Sequence, residues 1–231
     1  MIADGNVGSG HSRGHDATNS SGNARSDRDV TESMNDVIAI TRNVAGFAFR
    51  DQGRWDELRE LFHPDASIAV TWYSGPVSGF IERSAEIAAA QTPVMVKHAI
   101  GASRVKIAGD RALSDTDATI LIRTRLGPVE ADVTSYLRFF DRFERRGDRV
   151  WRIASRTAIY EKDRIDPVAP SLLYPFIYRL ARFHRFPRAY RHLAAGLVRS
   201  GQTLAKTIVE AGTPEEAELW RKAQLWLAAG P

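Results

Sequence analysis

The sequence predicts an α+β fold: a cone-shaped, curved antiparallel sheet whose pocket is enclosed by N-terminal helices, with a C-terminal helical extension. Three observations predict it. Apolar residues recur at helical spacing up to about residue 62, alternate at strand spacing from about 94 to 161, and return to helical spacing after 170. Helices grouped before a long meander are the order of an α+β domain in which helices cover one face of the sheet.

Residues 1–31 are built from Gly, Ser, Asn, Asp, Arg and His, with only isolated Ile2, Val7 and Val30. Such a stretch cannot offset its ordering entropy by burial, so a disordered tail is expected. His11 and His15 are read as solvated there, and no metal site is expected. The stretch also lacks the apolar core of a secretory leader. No apolar run approaches the roughly 18 residues that a membrane span needs. Cysteine is absent, which excludes disulfides and thiolate chemistry, and 26% of the residues are charged. The expectation is a cytoplasmic protein.

The domain proper is expected over 32–166. Val37, Ile40, Val44, Phe47 and Ala48 share a helical stripe, and Gly53 follows "FRDQ" where a helix stops. Asp51, four residues after Phe47, lies on that stripe. "RWDELRELF" reads as a second helix with Trp55, Leu58 and Leu61 or Phe62 inward, and His63 as a loop residue. "ASIAVTWY" is a strand and "SGFIERSAEIAAAQ" a helix. Four strands follow at about 94–108, 111–126, 130–146 and 149–161, punctuated by "AGDR", "LGPV" and "RRGDR". Val94, Val96, His98 and Ile100 share one parity, so His98 points to the apolar side. On the later strands the packed face holds Ala118, Ile120 and Ile122, then Val133, Leu137, Phe139 and Phe143, then Trp151, Ile153 and Ile159. Two independent phases thus place Asp51 and His98 on the faces lining the pocket. Trp72, Tyr73, Thr116 and Tyr136 are further candidate ligand contacts.

"DQGRWDELRELFHPDA", "KHAIGASRVKIAGDRA" and "FERRGDRVWRIASRTAIY" resemble the nuclear-transport-factor-2-like superfamily, in its SnoaL-like branch, over about residues 34–166. That branch includes scytalone dehydratase, bile acid dehydratase and hexachlorocyclohexane dehydrochlorinase. The resemblance implies an Asp–His dyad: Asp51 stands where those lyases carry an aspartate at the end of the first helix, and His98 stands in the histidine's strand motif. A neutral imidazole can take a proton from carbon while the carboxylate fixes its tautomer. Two positions depart from scytalone dehydratase. "DTDATILIRTR" lacks its additional histidine, and Arg50 replaces the tyrosine before its aspartate.

No H-x-x-x-H helix, no carboxylate cluster with metal spacing, no dinucleotide fingerprint and no phosphate loop occurs. The reading is a cofactor-independent lyase or isomerase acting on a small, largely apolar molecule, with His98 as base and Asp51 orienting it. The alternative is a non-catalytic ligand-binding or assembly subunit of the same fold, like a ring-hydroxylating dioxygenase β subunit, which "WRIASRTAIYEKDRI" also resembles.

The extension, 167–231, predicts a helix through Leu172, Leu173, Phe176, Ile177, Leu180 and Phe183, and a second through Leu193, Leu197, Leu204 and Ile208. A third is capped by Thr213, Pro214 and Glu216. These stripes must bury against the domain, each other or a second subunit, so a homo-oligomer is expected. Arg179, Arg182, Arg185, Arg188, Arg191 and Arg199 do not form one helical face. They read as a solvated, salt-bridging surface and not as a nucleic-acid site.

Overall fold

The structure is a computed structural model that describes residues 19–90 and 95–230, with side chains from residue 31 onward. His11, His15 and Val94 lie outside the described residues. The chain divides after Val37 into two compact units. The first helix, α1 (Asn19–Ala45), starts inside the segment expected to be a disordered tail.

Within Ile38–Pro231, Ile40, Val44 and Phe47 are buried as the stripe requires; Val37, the last residue of the first unit, is exposed. After Ala45 the chain tightens into a 3₁₀ segment, Gly46–Gln52, which ends at Gly53 with a left-handed φ of 68°. The short α2 (Trp55–Glu60) follows. His63 is not a loop residue: β1 (Phe62–Val70) already contains it, and its Nε2 lies 3.0 Å from the Glu144 carbonyl oxygen. The strand expected at 66–73 is in fact split between β1 and β2 (Tyr73–Pro76), and α3 spans Val77–Ala90.

Four long strands complete the meander: β3 (Val96–Ala108), β4 (Arg111–Leu126), β5 (Val129–Arg145) and β6 (Trp151–Pro167). With β1, β2 and the two-residue β7 (Val209–Glu210) they form one curved open sheet, in the order β2-β1-β6-β5-β4-β3, with β7 beside β6. β1 and β7 run parallel to β6 and all other pairs are antiparallel.

Curvature comes with register shifts. One falls between Ile100 and Ser103 on β3. Here Gly101 has a plain reason: a Cβ on it would lie 2.9 Å from the Asp117 carbonyl oxygen. Two more fall on β6, where pairing with β5 skips Ala154 and Glu161. Each skipped residue reverses which face the following side chains point to. Trp151 and Ile153 point to the interior, but after Ala154 the interior residues are Arg156, Ala158 and Tyr160. Ile159, expected beside Ile153, therefore faces the opposite side.

There it joins Leu113 and Phe140 against Ala223 and Leu227 of α6 (Pro214–Ala228). The cap expected for α6 forms: the Glu216 N–H donates to Thr213 Oγ1 at 3.4 Å, and Glu216 accepts from the Gly212 N–H at 2.7 Å. Arg138 on β5 also pairs with Glu216, tying this helix to the sheet.

The rest of the extension departs from expectation. α4 is only Tyr174–Leu180, followed by a 3₁₀ turn at Phe183–Arg185 and α5 (Arg191–Arg199). Leu204 and Ile208 sit in irregular chain beyond α5. Phe183 buries, but Leu172, Leu173, Phe176 and Leu180 stay exposed on the single chain, Leu172 by 92%. The arginines are solvated but not salt-bridging: among the described residues no acidic partner is seen for Arg179, Arg182, Arg185 or Arg188. No Asp or Glu occurs between 167 and 209 to provide a local one. No described helix is long and apolar enough to cross a membrane.

Candidate active site

The 3₁₀ segment brings Asp51 to the interior edge of β3, where His98 points inward. The contact is a chelate. The His98 backbone N–H donates to Asp51 Oδ2 at 2.5 Å, and Nδ1 lies 2.7 Å from Oδ1. Both side chains are largely buried. With the Nδ1 proton directed at the carboxylate, Nε2 is the nitrogen left to a ligand. The Phe47 ring meets the imidazole edge-on at 5.3 Å and fixes its plane.

The charge states follow from the surroundings. Burial pushes the Asp51 carboxyl up, but hydrogen bonds and charge from His98, with Arg50 nearby, outweigh it and hold it below its usual range. Burial dominates at His98 and lowers its pKa. Asp51 opposes this, while the positive charges of Arg50 and Arg156 reinforce it. The pair therefore rests as a carboxylate beside a neutral imidazole, the form that accepts a proton.

The His98 member of the dyad lines a cavity of about 210 Å³ with walls that include Phe47, Trp72, Phe80, Val96, Ile120 and Leu137. A cavity of ~150 Å³ accommodates benzene, so this one suits a body of one or two rings. The polar groups on its wall are few: Arg50, Thr71, His98, Thr124, Tyr160, His192, Ser200 and Gln202. Thr71 donates its N–H (3.0 Å) and its hydroxyl (2.5 Å) to the Tyr160 oxygen, leaving the Tyr160 proton for a ligand. Burial raises the Tyr160 pKa, so that proton stays in place.

Of the four further contacts expected from the sequence, Trp72 lines the cavity. Tyr73 does not: its hydroxyl donates to the Pro76 carbonyl at 2.8 Å, and its ring packs on Phe80 and Trp72. Thr116 faces inward but is fully buried away from the cavity, donating to Ser103 Oγ at 2.8 Å. Tyr136 is on the other side of β5, because Val133 and Leu137 already set the inward parity, and Lys162 lies over its ring at 5.1 Å. Arg50, Tyr160 and His192 were missed. A helical phase count could have found Arg50 beside Asp51, whereas no local pattern marks the other two.

His192 comes from the extension. Its Nδ1 lies 2.8 Å from Asp163 Oδ1, while its backbone N–H (2.6 Å) and that of Leu193 (2.9 Å) donate to Oδ2. Asp163 thus caps α5 from across the fold, and α5 contributes Leu193, Gly196 and Leu197 to the cavity wall. The other imidazole nitrogen lies 3.0 Å from the Tyr178 hydroxyl, so both ring nitrogens are engaged and the group is a clasp. Asp163→Ala is expected to cost about 1–3 kcal/mol, the scale of a buried hydrogen-bond loss. Hydrogen exchange should then show the amides of 191–199 losing protection by at least about fivefold. Unchanged protection would mean that apolar packing alone holds α5.

The chain matches the SnoaL-like domain model over residues 32–157, more than half its length. It belongs to that family. Among curated relatives, this SnoaL-like chain is 32% identical over 165 residues to an uncharacterized protein of Aspergillus terreus, covering 63% of this chain and 58% of that one. It is 30% identical over 149 residues to Pea pathogenicity protein 2 of Fusarium vanettenii, covering 64% and 62%. The chain thus spans about three fifths of the length of these relatives. Among solved structures, a candidate scytalone dehydratase from Novosphingobium aromaticivorans superposes with a TM-score of 0.50 at 15% identity, over 62% of this chain and 99% of that one. That likeness shows the shared nuclear-transport-factor-2-like fold. Among the described residues no group of three His, Cys, Asp or Glu is placed to hold a metal ion.

Proposed function

We propose that this SnoaL-like domain is a lyase or isomerase that abstracts a proton from carbon, with His98 as general base and Asp51 as the group that orients it. The observation that carries the reading is the Asp51–His98 chelate, with Nδ1 to Oδ1 at 2.7 Å and His98 on the wall of a largely apolar cavity. The carboxylate fixes the imidazole tautomer and stabilises the imidazolium formed when Nε2 takes a proton. Apolar walls exclude water, so the fixed charges act on the ligand with little screening. The fold shared with a candidate scytalone dehydratase supports the class of reaction and leaves the substrate open.

Proton abstraction can be read without knowing the leaving group. In D2O the protein is expected to accelerate deuterium uptake at the α-carbon of bicyclic ketones such as 1-indanone, and His98→Ala is expected to abolish the acceleration. No acceleration across a panel of one- and two-ring ketones and thioesters that bind would leave the non-catalytic ligand-binding reading in its place.

A further inference from the structure

Among the described residues that line the cavity, Arg50 is the one with a fixed positive charge. Its side chain is only 18% exposed, and its nearest acidic atom is Asp51 Oδ1 at 3.8 Å, beyond hydrogen-bond reach. Both Asp51 oxygens are already engaged by His98. Among the described residues nothing else accepts from the guanidinium, which has five N–H donors in a fixed fork. It is instead held by two aromatic faces, with Cζ 5.9 Å from the Trp72 ring centroid and 5.8 Å from that of Phe80. Arg156 shows the contrast. With its side chain fully buried, it is bound by two hydrogen bonds to Asp141, at 2.8 and 2.7 Å.

A planar guanidinium held by aromatic faces, with no protein acceptor among the described residues, on a largely apolar wall, is a complement for an oxygen anion. We propose that Arg50 forms an oxyanion-binding subsite, so that the preferred ligands carry a carboxylate or an enolisable carbonyl on a one- or two-ring apolar body. This names the substrate class of the proposed function and, for its chemical step only, rests on His98 acting as base. Burial lowers the Arg50 pKa, partly offset by Asp51 and Tyr160, so an anion at the fork relieves a cost that the empty site bears.

The same placement gives Arg50 a task in the reaction. For a β-hydroxy carbonyl compound, His98 Nε2 takes the α-proton. The C–H electron pair becomes the carbon–carbon π bond of an enolate, and the carbonyl π pair moves onto the oxygen facing Arg50. As the enolate collapses, the carbonyl re-forms, a carbon–carbon double bond forms toward the β-carbon, and the hydroxyl departs with the proton held by His98, as water. The dyad ends as it began, and no further reagent is consumed. Arg50 stabilises the one species in this sequence whose charge is on oxygen.

The test uses the full chain and two isosteric probes, 2-naphthoate and the neutral 2-naphthamide, titrated by calorimetry. Wild-type protein is expected to bind the carboxylate at least about tenfold more tightly, the scale of a hydrogen bond to a charged group. Arg50→Gln should erase the preference, and Arg50→Lys should keep part of it. A double Arg182→Gln, Arg185→Gln variant should leave it intact, which separates the cavity from the exposed arginines of the extension. Equal affinity for both probes in wild-type protein, or no binding of either, overturns the proposal without any variant having to fold. So does a preference that survives Arg50→Gln or disappears in the Arg182/Arg185 variant. The two readings fail separately. Carboxylate preference without His98-dependent deuterium exchange sinks the base, and exchange without the preference sinks the subsite.

Discussion

His98→Ala is expected to lower turnover of an α-proton substrate by about 10²–10⁴-fold, the usual contribution of a positioned general base. Asp51→Asn should approach the same loss while keeping the fold, because the amide retains the shape and gives up the charge that fixes the tautomer. The pH profile tests the assignment further. The His98 pKa lies below its ordinary value, with burial as the largest cause. The acid limb of kcat/KM should therefore fall below the ordinary histidine range near about 6.5. In Asp51→Asn the contributions that raise the His98 pKa are gone, so the limb should move lower still as the rate drops. A limb at or above the ordinary histidine value, or one that rises in Asp51→Asn, would contradict the assignment. Stability should follow the same sign. The unfolded chain protonates this histidine more readily than the folded one does, so its contribution is present above about pH 6.5 and is lost as the pH falls below.

The largest effect on stability is expected from the ion pair below the dyad. Arg156 and Asp141 have fully buried side chains joined through two hydrogen bonds. The Arg156 guanidinium lies against Phe47 at 4.8 Å and Phe139 at 4.3 Å, and Phe47 in turn braces His98. Its Nη1 has no hydrogen-bond partner, so the pair already carries an uncompensated polar atom. Removing one member leaves a buried charge alone, which costs about 3–5 kcal/mol. At this size that is a fall in melting temperature of about 6–20 °C. Thermal unfolding of Asp141→Leu and Arg156→Met should each show it. The double Asp141→Leu, Arg156→Met variant should lose less than either single change, because it removes both charges together. If the double variant loses the sum of the two single losses, the pair does not act as a unit.

Much of the fold was legible because its signals are local. Helical spacing located Ile40, Val44 and Phe47, and strand alternation located the meander, although β6 runs on to Pro167, past the end expected at 161. Gly53, Thr213 and Glu216 act as end and cap residues because each satisfies a need of its own turn. Asp51 and His98 were legible for the same reason, since each sits in phase with apolar neighbours on an unbroken stretch. The misses are equally physical. Tyr136 was placed on the cavity although Leu137 beside it points inward, and adjacent strand residues cannot share a face. The arginines of the extension were expected to be paired, yet no acid lies nearby in the chain, and among the described residues the fold brings none to the four from Arg179 to Arg188.

The sequence by itself determined the α+β order of elements, the inward phase of Asp51 and of His98, and the capping of α6, all set within a few residues by propensity and periodicity. Only the tertiary structure decided the cavity's chemistry. Ala154 and Glu161 fall out of register with β5, and these two skips turn Arg156, Tyr160 and Asp163 inward one after another. Asp163 then caps α5 and brings His192, Leu193 and Leu197 to a cavity that the extension had no local reason to reach. Register and long-range capping depend on which strands meet and where, and this information belongs to the pairing of distant segments rather than to any one of them.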